Sequence, residues 1–453
     1  MRRLADYMVC CIILRLVMMT LFVGTYSCNE LHAQESATPA KRPNIVLIVS
    51  DDQHWEDYEF MGQTQLKTPN LNRLAAESLT FKRGYVPSSL CCPSLATILT
   101  GLYPHQHKIT SNDPPIPTGM KPGEFQRSIA FRDGRERMNE FMKTANTLPR
   151  MLSSMGYRSL QTGKWWQGNY STGGFTDGMT KGDRHGDAGL DIGRKTMEPI
   201  RSFIADCQQK DQPFFVWYAP FLPHSPHNAP EAIVAESRKR WKAGDETARG
   251  PYFACIEWLD QTIGELRNIL EEAKVDDNTL IIYVTDNGWI CGDRLNQYGP
   301  RSKQSPYDGG IRTPIMVHWK GKVAASESDQ PVMSIDIAPT VLAAVGAPTT
   351  PDMQGVNLLN REAVMNRKTI FGECFTHNAV SIDQPADNLR WRWVIHEGKK
   401  LIVPAPQNEP KGKAELYEIV GDPKEQKDLS AEESSTVKEL NGLLDQWWDG
   451  RTK

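Results

Sequence analysis

Two stretches of this 453-residue chain set oxygen ligands directly behind apolar runs: Asp51-Asp52 after NIVLIVS and Asp286-Asn287 after LIIYVT. Three carboxylates and one amide oxygen make a hard donor set that suits Ca²⁺ or Mg²⁺ and needs no histidine. Acids at strand ends also cap the helices that follow, so neither doublet decides the matter alone. A third stretch, SSLCCPSLAT, sets Cys91 and Cys92 before Pro93 at the head of a helix-like segment. Adjacent Cα atoms lie about 3.8 Å apart, below the usual disulfide range, so the pair does not read as a bridge. One sulfur of the two is a candidate for chemistry rather than scaffold.

These groups need elements to hold them. NIVLIVSDD (44–52) has the pattern of a strand buried on both faces with functional groups at its C-terminal edge. FFVWYA (214–219), LIIYVTDN (280–287) and TPIMVHW (313–319) repeat that texture, and the helix-like TPNLNRLAAES, TANTLPRMLSSMG and PYFACIEWLDQTIGELRNILEEA lie between such runs. The alternation predicts an α/β fold: a mostly parallel sheet flanked by helices, with ligands gathered beyond the strand C-termini. From about residue 345 the texture changes. APTTPDMQG is a loop, WRWVIH, KLIVP and ELYEIV are short strands at hairpin-like spacing, and STVKELNGLLDQWW is an amphipathic helix. A main domain over 42–345 and a small C-terminal subdomain over 346–453, an antiparallel sheet with a helix on it, follow. Residues 108–145 read as a long polar insertion. Its Arg127, Arg132, Arg135 and Arg137 are candidates to meet an anionic substrate, against the plainer reading of solvated charge.

Bulk properties narrow the partners. Hydrophobic residues at 39% and charged residues at 24% are globular values, and a net charge of −3 gives no reason to expect nucleic acid. Residues 1–33 open with Arg2 and Arg3, run apolar, and offer Leu31 and Ala33 as a cleavage pair. They read as a signal peptide, followed by a linker over 34–41, which predicts a periplasmic or secreted protein without a stable membrane span. Arg15 interrupts the apolar run, which leaves a signal anchor open, and Cys28 sits in a poor context for a lipid anchor. The mature chain keeps Cys91, Cys92, Cys207, Cys255, Cys291 and Cys374, at spacings that fit no zinc pattern. For Cys207, Cys255 and Cys374 a small buried side chain or one disulfide is the plain reading.

RPNIVLIVSDDQ, TPNLNRLAAESLTF, CCPSLATILTGLYPHQH, GYRSLQTGKWWQGN, PFLPHSPH, NTLIIYVTDNGW and KQSPYDGGIRTPIMV occur in this order. Together they resemble the sulfatase family of the alkaline-phosphatase-like superfamily, over roughly residues 42–345 and again at ELYEIVGDPKEQKDLS. The resemblance implies a sulfuric ester hydrolase acting on a sulfated small molecule or saccharide. Its nucleophile would be a formylglycine hydrate, made from Cys91 by a formylglycine-installing enzyme; Pro93, two places on, aligns the motif on Cys91 and leaves Cys92 a variable neighbour. It implies Ca²⁺, or Mg²⁺, held by Asp51, Asp52, Asp286 and Asn287 together with the modified side chain of Cys91. It gives Lys164, His224 and Lys303 the tasks of holding the sulfate and assisting the leaving group. A helix N-terminus at Cys91 would add backbone N–H groups and a favourable dipole for the anion.

Two positions depart from the family pattern. Leu95 stands where the motif has an arginine, and Trp166 where a histidine normally touches the formylglycine. Arg184 and His185, or His105 and His107, are candidate substitutes. His227 is a candidate for the substrate site, and Trp165, Trp166 and Trp289 for stacking on a sugar ring, with core packing the plain reading of all three. Two further accounts stay open: an inactive sulfatase-like binding module, and a phosphate or phosphonate ester hydrolase using the same site. Against the first, so many charged residues are costly to bury unless paired or metal-bound.

Overall fold

The computed structural model describes residues 41–451. The leader and most of the linker lie outside the described residues. The main sheet contains β1 (Asn44–Ser50), β2 (Leu79–Tyr85), β3 (Arg158–Gly163), β4 (Asp177–Gly178), β5 (Phe214–Ala219), β6 (Thr279–Thr285), β7 (Arg312–Trp319), β8 (Ser326–Ser328) and β9 (Val332–Met333). Their order is β4-β3-β5-β1-β6-β7-β2-β8, with β9 also paired to β2. Every pairing is parallel except those of β7 with β6 and β2. Strands β1, β2, β3, β5 and β6 therefore all end at one edge, and β7 starts from it.

All seven residues of β1 are buried, and alternate side chains face opposite cores. Ile45, Leu47 and Val49 join a core with helices α2 (Cys91–Thr100) and α6 (Ile337–Val345). Val46 and Ile48 face α1 (Pro69–Ala76), α4 (Glu198–Gln209) and α5 (Arg249–Glu272). The result is helices on both faces of a mostly parallel sheet, as the apolar runs predict.

The segment 108–145 differs from the expectation of a loop. It contains α3 (Ile129–Thr144), N-capped by the Ser128 hydroxyl on Phe131 N–H and burying Met138 and Met142. The long side chains of this helix obscure its narrow apolar stripe. All the mature-chain cysteines named above are free, so no disulfide joins Cys207, Cys255 or Cys374.

The C-terminal sheet has the three expected strands, β11 (Leu389–His396), β12 (Lys399–Pro404) and β13 (Glu415–Glu418), under α7 (Ser434–Trp447). A fourth, β10 (Thr369–Phe375), completes the antiparallel order β10-β11-β12-β13. Its sequence, TIFGECF, is broken by Gly372, where a Cβ would lie 2.2 Å from the Trp393 ring. The glycine leaves the space that ring fills, and pairing with β11 makes the strand. A buried charge cluster fastens this sheet to the main one: Lys400 Nζ lies 2.9 Å from Asp308 Oδ1 and 2.7 Å from Glu425 Oε1, with its side chain wholly inaccessible. Lys400→Met would strand two carboxylates without their cation, and is expected to cost about 3–5 kcal/mol in urea denaturation. Adding Asp308→Asn and Glu425→Gln should recover part of that loss.

Candidate active site

The site begins with strand register. β1 and β6 pair in parallel from Asn44↔Thr279 to Ser50↔Thr285, so the two doublets leave the sheet side by side. Asp286 N–H then bonds Ser50 O at 2.9 Å, and Asp52 N–H donates to Asp286 Oδ1 at 3.0 Å. β3 ends two strands over from β1, beyond β5, where Gly163 turns with φ +75°. A Cβ there would meet the Ala219 carbonyl at 1.7 Å, so only glycine lets the chain turn and drive Lys164 inward.

Lys164 Nζ lies 2.5 Å from Asp51 Oδ1 and 3.0 Å from Asp286 Oδ2. Lys303 Nζ lies 2.7 Å from Asp52 Oδ1 and 3.0 Å from the Cys91 sulfur. Asn287 Nδ2 donates to Asp52 Oδ1 at 2.6 Å, and His224 Nε2 stands 3.4 Å from Asp52 Oδ2. Cys91 opens α2; of the N–H groups that follow, that of Cys92 goes to Asn112 Oδ1 and that of Ser94 to Leu90 O, while Pro93 has none. The structure thus brings together Asp51, Asp52, Cys91, Lys164, His224, Asp286, Asn287 and Lys303. Among the described residues, one ligand atom each from Asp51, Asp52, Cys91 and His224 lie within 4.8 Å of one another.

The residues fit a hard cation. Asp51 Oδ2 and Asn287 Oδ1 are buried without any hydrogen-bond partner, a costly arrangement for two oxygens unless something positive takes their lone pairs. Burial, followed by the charge of Asp286, raises Asp51 well above the usual carboxylate range despite Lys164. Burial would raise Asp52 too, but Lys303, His224 and Lys164 outweigh it and hold this carboxyl at about 2. Burial pushes the Cys91 thiol up to about 11 in spite of both lysines. Burial also lowers His224 to about 3, against the pull of Asp52, so without an added anion its ring is neutral at pH 7. Asp52 itself has φ +60°, a left-handed conformation that a non-glycine residue keeps only where its surroundings enforce it.

The other candidates sort themselves by position. His185 reaches the site wall, 4.5 Å from the Trp166 ring and 5.8 Å from that of His224. Its own φ of +71° is imposed by Asp187, whose carboxylate accepts from the N–H groups of Lys181, Gly182, Asp183 and Ala188. Arg184 stands beside it. His105 and His107 do not reach the cluster: His105 binds Glu373 and stacks on Trp448, and His107 bonds Thr97. His227 packs on Tyr252 and Trp289. Trp165 is core, packed on Phe175 and Trp217, whereas Trp166 lines the site wall and Trp289 lies beneath Lys303 Nζ at 5.7 Å. Leu95 is fully buried in the core. Arg127 and Arg132 stay in solvent, Arg137 pairs with Asp383, and Arg135 alone of that group turns toward the site.

Sequence reasoning missed three supports. Asn112 Oδ1 accepts from Cys92 N–H at 2.9 Å, Gln167 Nε2 approaches the Cys92 sulfur at 2.9 Å, and Asp113 holds Arg184. None of the three follows a spacing rule: Asn112 and Asp113 are neighbours in a polar loop, and Gln167 ends the GKWWQ stretch without a residue-type signal of its own.

With that geometry established, comparison with known proteins assigns the class. A family model described as Sulfatase matches residues 43–347, and one described as N-sulphoglucosamine sulphohydrolase, C-terminal, matches residues 297–447. The chain belongs to the sulfatase family. Arylsulfatase A of Homo sapiens is 28% identical over 360 residues, spanning 68% of this chain and 65% of that protein. N-acetylgalactosamine-6-sulfatase of Homo sapiens is 26% identical over 78% of this chain and 72% of that protein. The N-acetylgalactosamine-6-O-sulfatase of Bacteroides thetaiotaomicron is 24% identical over 92% of this chain and 95% of that protein. The fold is shared with solved structures of Ps i-CgsB in complex with k-i-k-neocarrahexaose (TM-score 0.70, 22% identity, 90% of this chain and 94% of that one). It is shared also with BT4656 in complex with D-glucosamine-2-N,6-O-disulfate (TM-score 0.67, 20% identity, 90% and 98%).

Because Asp51 is raised in the metal-free site, a bound dication must displace a proton from it, and affinity should fall as pH falls. Calorimetry of Ca²⁺ binding in two buffers of different ionisation heat is expected to report proton release. Asp51→Asn and Asn287→Ala should each weaken binding by at least the roughly 10–100-fold that losing an outer-shell partner costs.

Proposed function

We propose that the protein is an exported carbohydrate sulfatase, periplasmic or secreted, that hydrolyses a sulfate ester with a formylglycine formed from Cys91 and a divalent cation, Ca²⁺ or Mg²⁺. The observation that carries this reading is the meeting of Asp51, Asp52, Asp286 and Asn287 in one bonded cluster that reaches Cys91 through Lys303, with two buried oxygens left unpartnered. The saccharide part rests on the relatives whose names specify N-acetylgalactosamine and on neighbours solved with saccharides. Among the described residues no helix is long and apolar enough to cross a membrane. Export rests on the leader read from sequence.

Asp51, Asp52, Asp286 and Asn287 would hold the cation. A dication there supplies charge stabilisation next to residue 91, and a formylglycine supplies a hydrated aldehyde in place of a thiol. The chain's own residues do the rest. Lys303, 3.0 Å from the residue-91 side chain, offers its ammonium to the incoming sulfate. Lys164 balances Asp51 and Asp286 and keeps both carboxylates fixed. Both ring nitrogens of His224 face acceptors, Ser225 O at 2.6 Å and Asp52 Oδ2 at 3.4 Å, an arrangement that suits a doubly protonated ring. An arriving anion would favour that form, which can give its Nε2 proton to the departing oxygen.

Peptide mass spectrometry across Cys91, on protein from a host with competent maturation machinery, is expected to show exchange of H₂S for one oxygen. Cys91→Ala should lower sulfate ester hydrolysis by a factor on the order of 10⁴–10⁶, and chelation should remove most activity in a way that Ca²⁺ restores. An intact thiol would favour the binding-module account, and turnover confined to phosphate esters would replace this reading with the phosphohydrolase one.

A further inference from the structure

The side of the cluster opposite the buried acids is basic and only half balanced. Two guanidinium groups lie over the Trp166 ring, Arg184 at 4.6 Å and Arg135 at 5.3 Å from its centroid. Arg184 is matched: its Nε and Nη2 pair with both oxygens of Asp113 at 3.1 and 3.0 Å, and its Nη1 lies 3.1 Å from His185 Nε2. Arg135 is not. Its Nη1 donates to the Asn112 carbonyl at 2.7 Å, and among the described residues no carboxylate comes within ion-pair distance of it. Its neighbours on α3 do otherwise, Arg137 pairing with Asp383 and Arg132 facing Asp133 at 3.9 Å.

Position gives this unmatched charge its meaning. Asn112, which holds Arg135 through its carbonyl, caps Cys92 N–H through its side chain, so Arg135 sits one residue's width from the Cys91-Cys92 turn. The cluster itself is nearly closed, with Cys91 1% and Asp51 2% exposed. The Arg184 side chain is 31% exposed and that of His224 13%, so a substrate reaches residue 91 across this rim. Two guanidiniums against one carboxylate leave the rim a net +1. A half-buried cation whose partners are a carbonyl, an aromatic face and the Cys92 sulfur has lost part of its water without gaining a carboxylate.

We propose that Arg135 is a specificity residue that binds a second anionic group of the substrate, a carboxylate or a further sulfate on the ring that bears the scissile ester or on the ring beside it. Arg184, held by Asp113 and stacked on Trp166, fixes the plane against which Arg135 is presented. The substrate class is then a saccharide with at least two negative charges. This rests on the sulfatase reading and narrows it.

The test compares wild type with Arg135→Gln and Arg135→Lys, all shown to carry the modified residue 91 and to melt alike. The substrates are a sulfated disaccharide with a uronate carboxylate, its carboxyl-reduced counterpart, a disulfated disaccharide and an aryl sulfate. Wild type should prefer the dianionic disaccharides over the carboxyl-reduced one by about 10–100-fold in kcat/KM, the range of a charge-assisted hydrogen bond. The preference should lie in KM, collapse in Arg135→Gln and partly return in Arg135→Lys. Calorimetry with the desulfated, carboxylate-bearing disaccharide should show binding that Arg135→Gln weakens by a similar factor, without turnover. Which dianion is preferred identifies the second group. Equal rates on the charged and carboxyl-reduced substrates, or a preference that survives Arg135→Gln, would overturn the proposal while leaving the sulfatase reading intact. Failure to hydrolyse any of these sulfates, the aryl ester included, would sink that reading and this proposal with it.

Discussion

The site depends on one pairing: the parallel, residue-for-residue register of β1 against β6. Because both strands are buried on both faces, a slip by one residue would put every side chain into the wrong core layer. The cores on the two faces therefore hold the register, and the register delivers Asp51, Asp52, Asp286 and Asn287 to one point. Packing of apolar side chains far from the chemistry fixes the positions of the polar groups that perform it.

Placing three carboxylates together below a closed sheet edge is unfavourable by itself, and the chain compensates in stages. Lys164 and Lys303 bring two positive charges within 3.0 Å of these acids. With all three carboxylates ionised the cluster would still carry −1, which a proton on the raised Asp51 relieves in the metal-free site. A bound dication would make it +1, the right sign and size to receive a sulfate monoester. The unpartnered Asp51 and Asn287 oxygens mark where the protein stops short of satisfying its own groups.

How much of this was legible follows the strength of local signals. Apolar runs ending in acids announce both the strands and the metal-type residues, since burial on two faces demands uninterrupted hydrophobicity. The lysines and His224 are single charges that ordinary surface composition would explain, and only resemblance to a known family picks them out. β10 is hidden because its glycine answers to Trp393, a residue on another strand. Asn112, Asp113 and Gln167 are invisible for the same reason: their partners are distant in sequence, and nothing local to them marks the contact. The choice of His185 over His105 and His107 needed three dimensions, because it turns on how Asp187 bends its own loop.

The burial of Cys91 constrains when its chemistry can happen. In the finished fold its sulfur is covered by Lys303, supplied by a segment more than two hundred residues downstream, and the turn beside it is clamped by Asn112. On the proposed formylglycine reading, an enzyme acting on Cys91 would have to reach it before Lys303 closes over it. Oxidation and folding would then compete in time, and a molecule that closed its sheet first would keep its thiol.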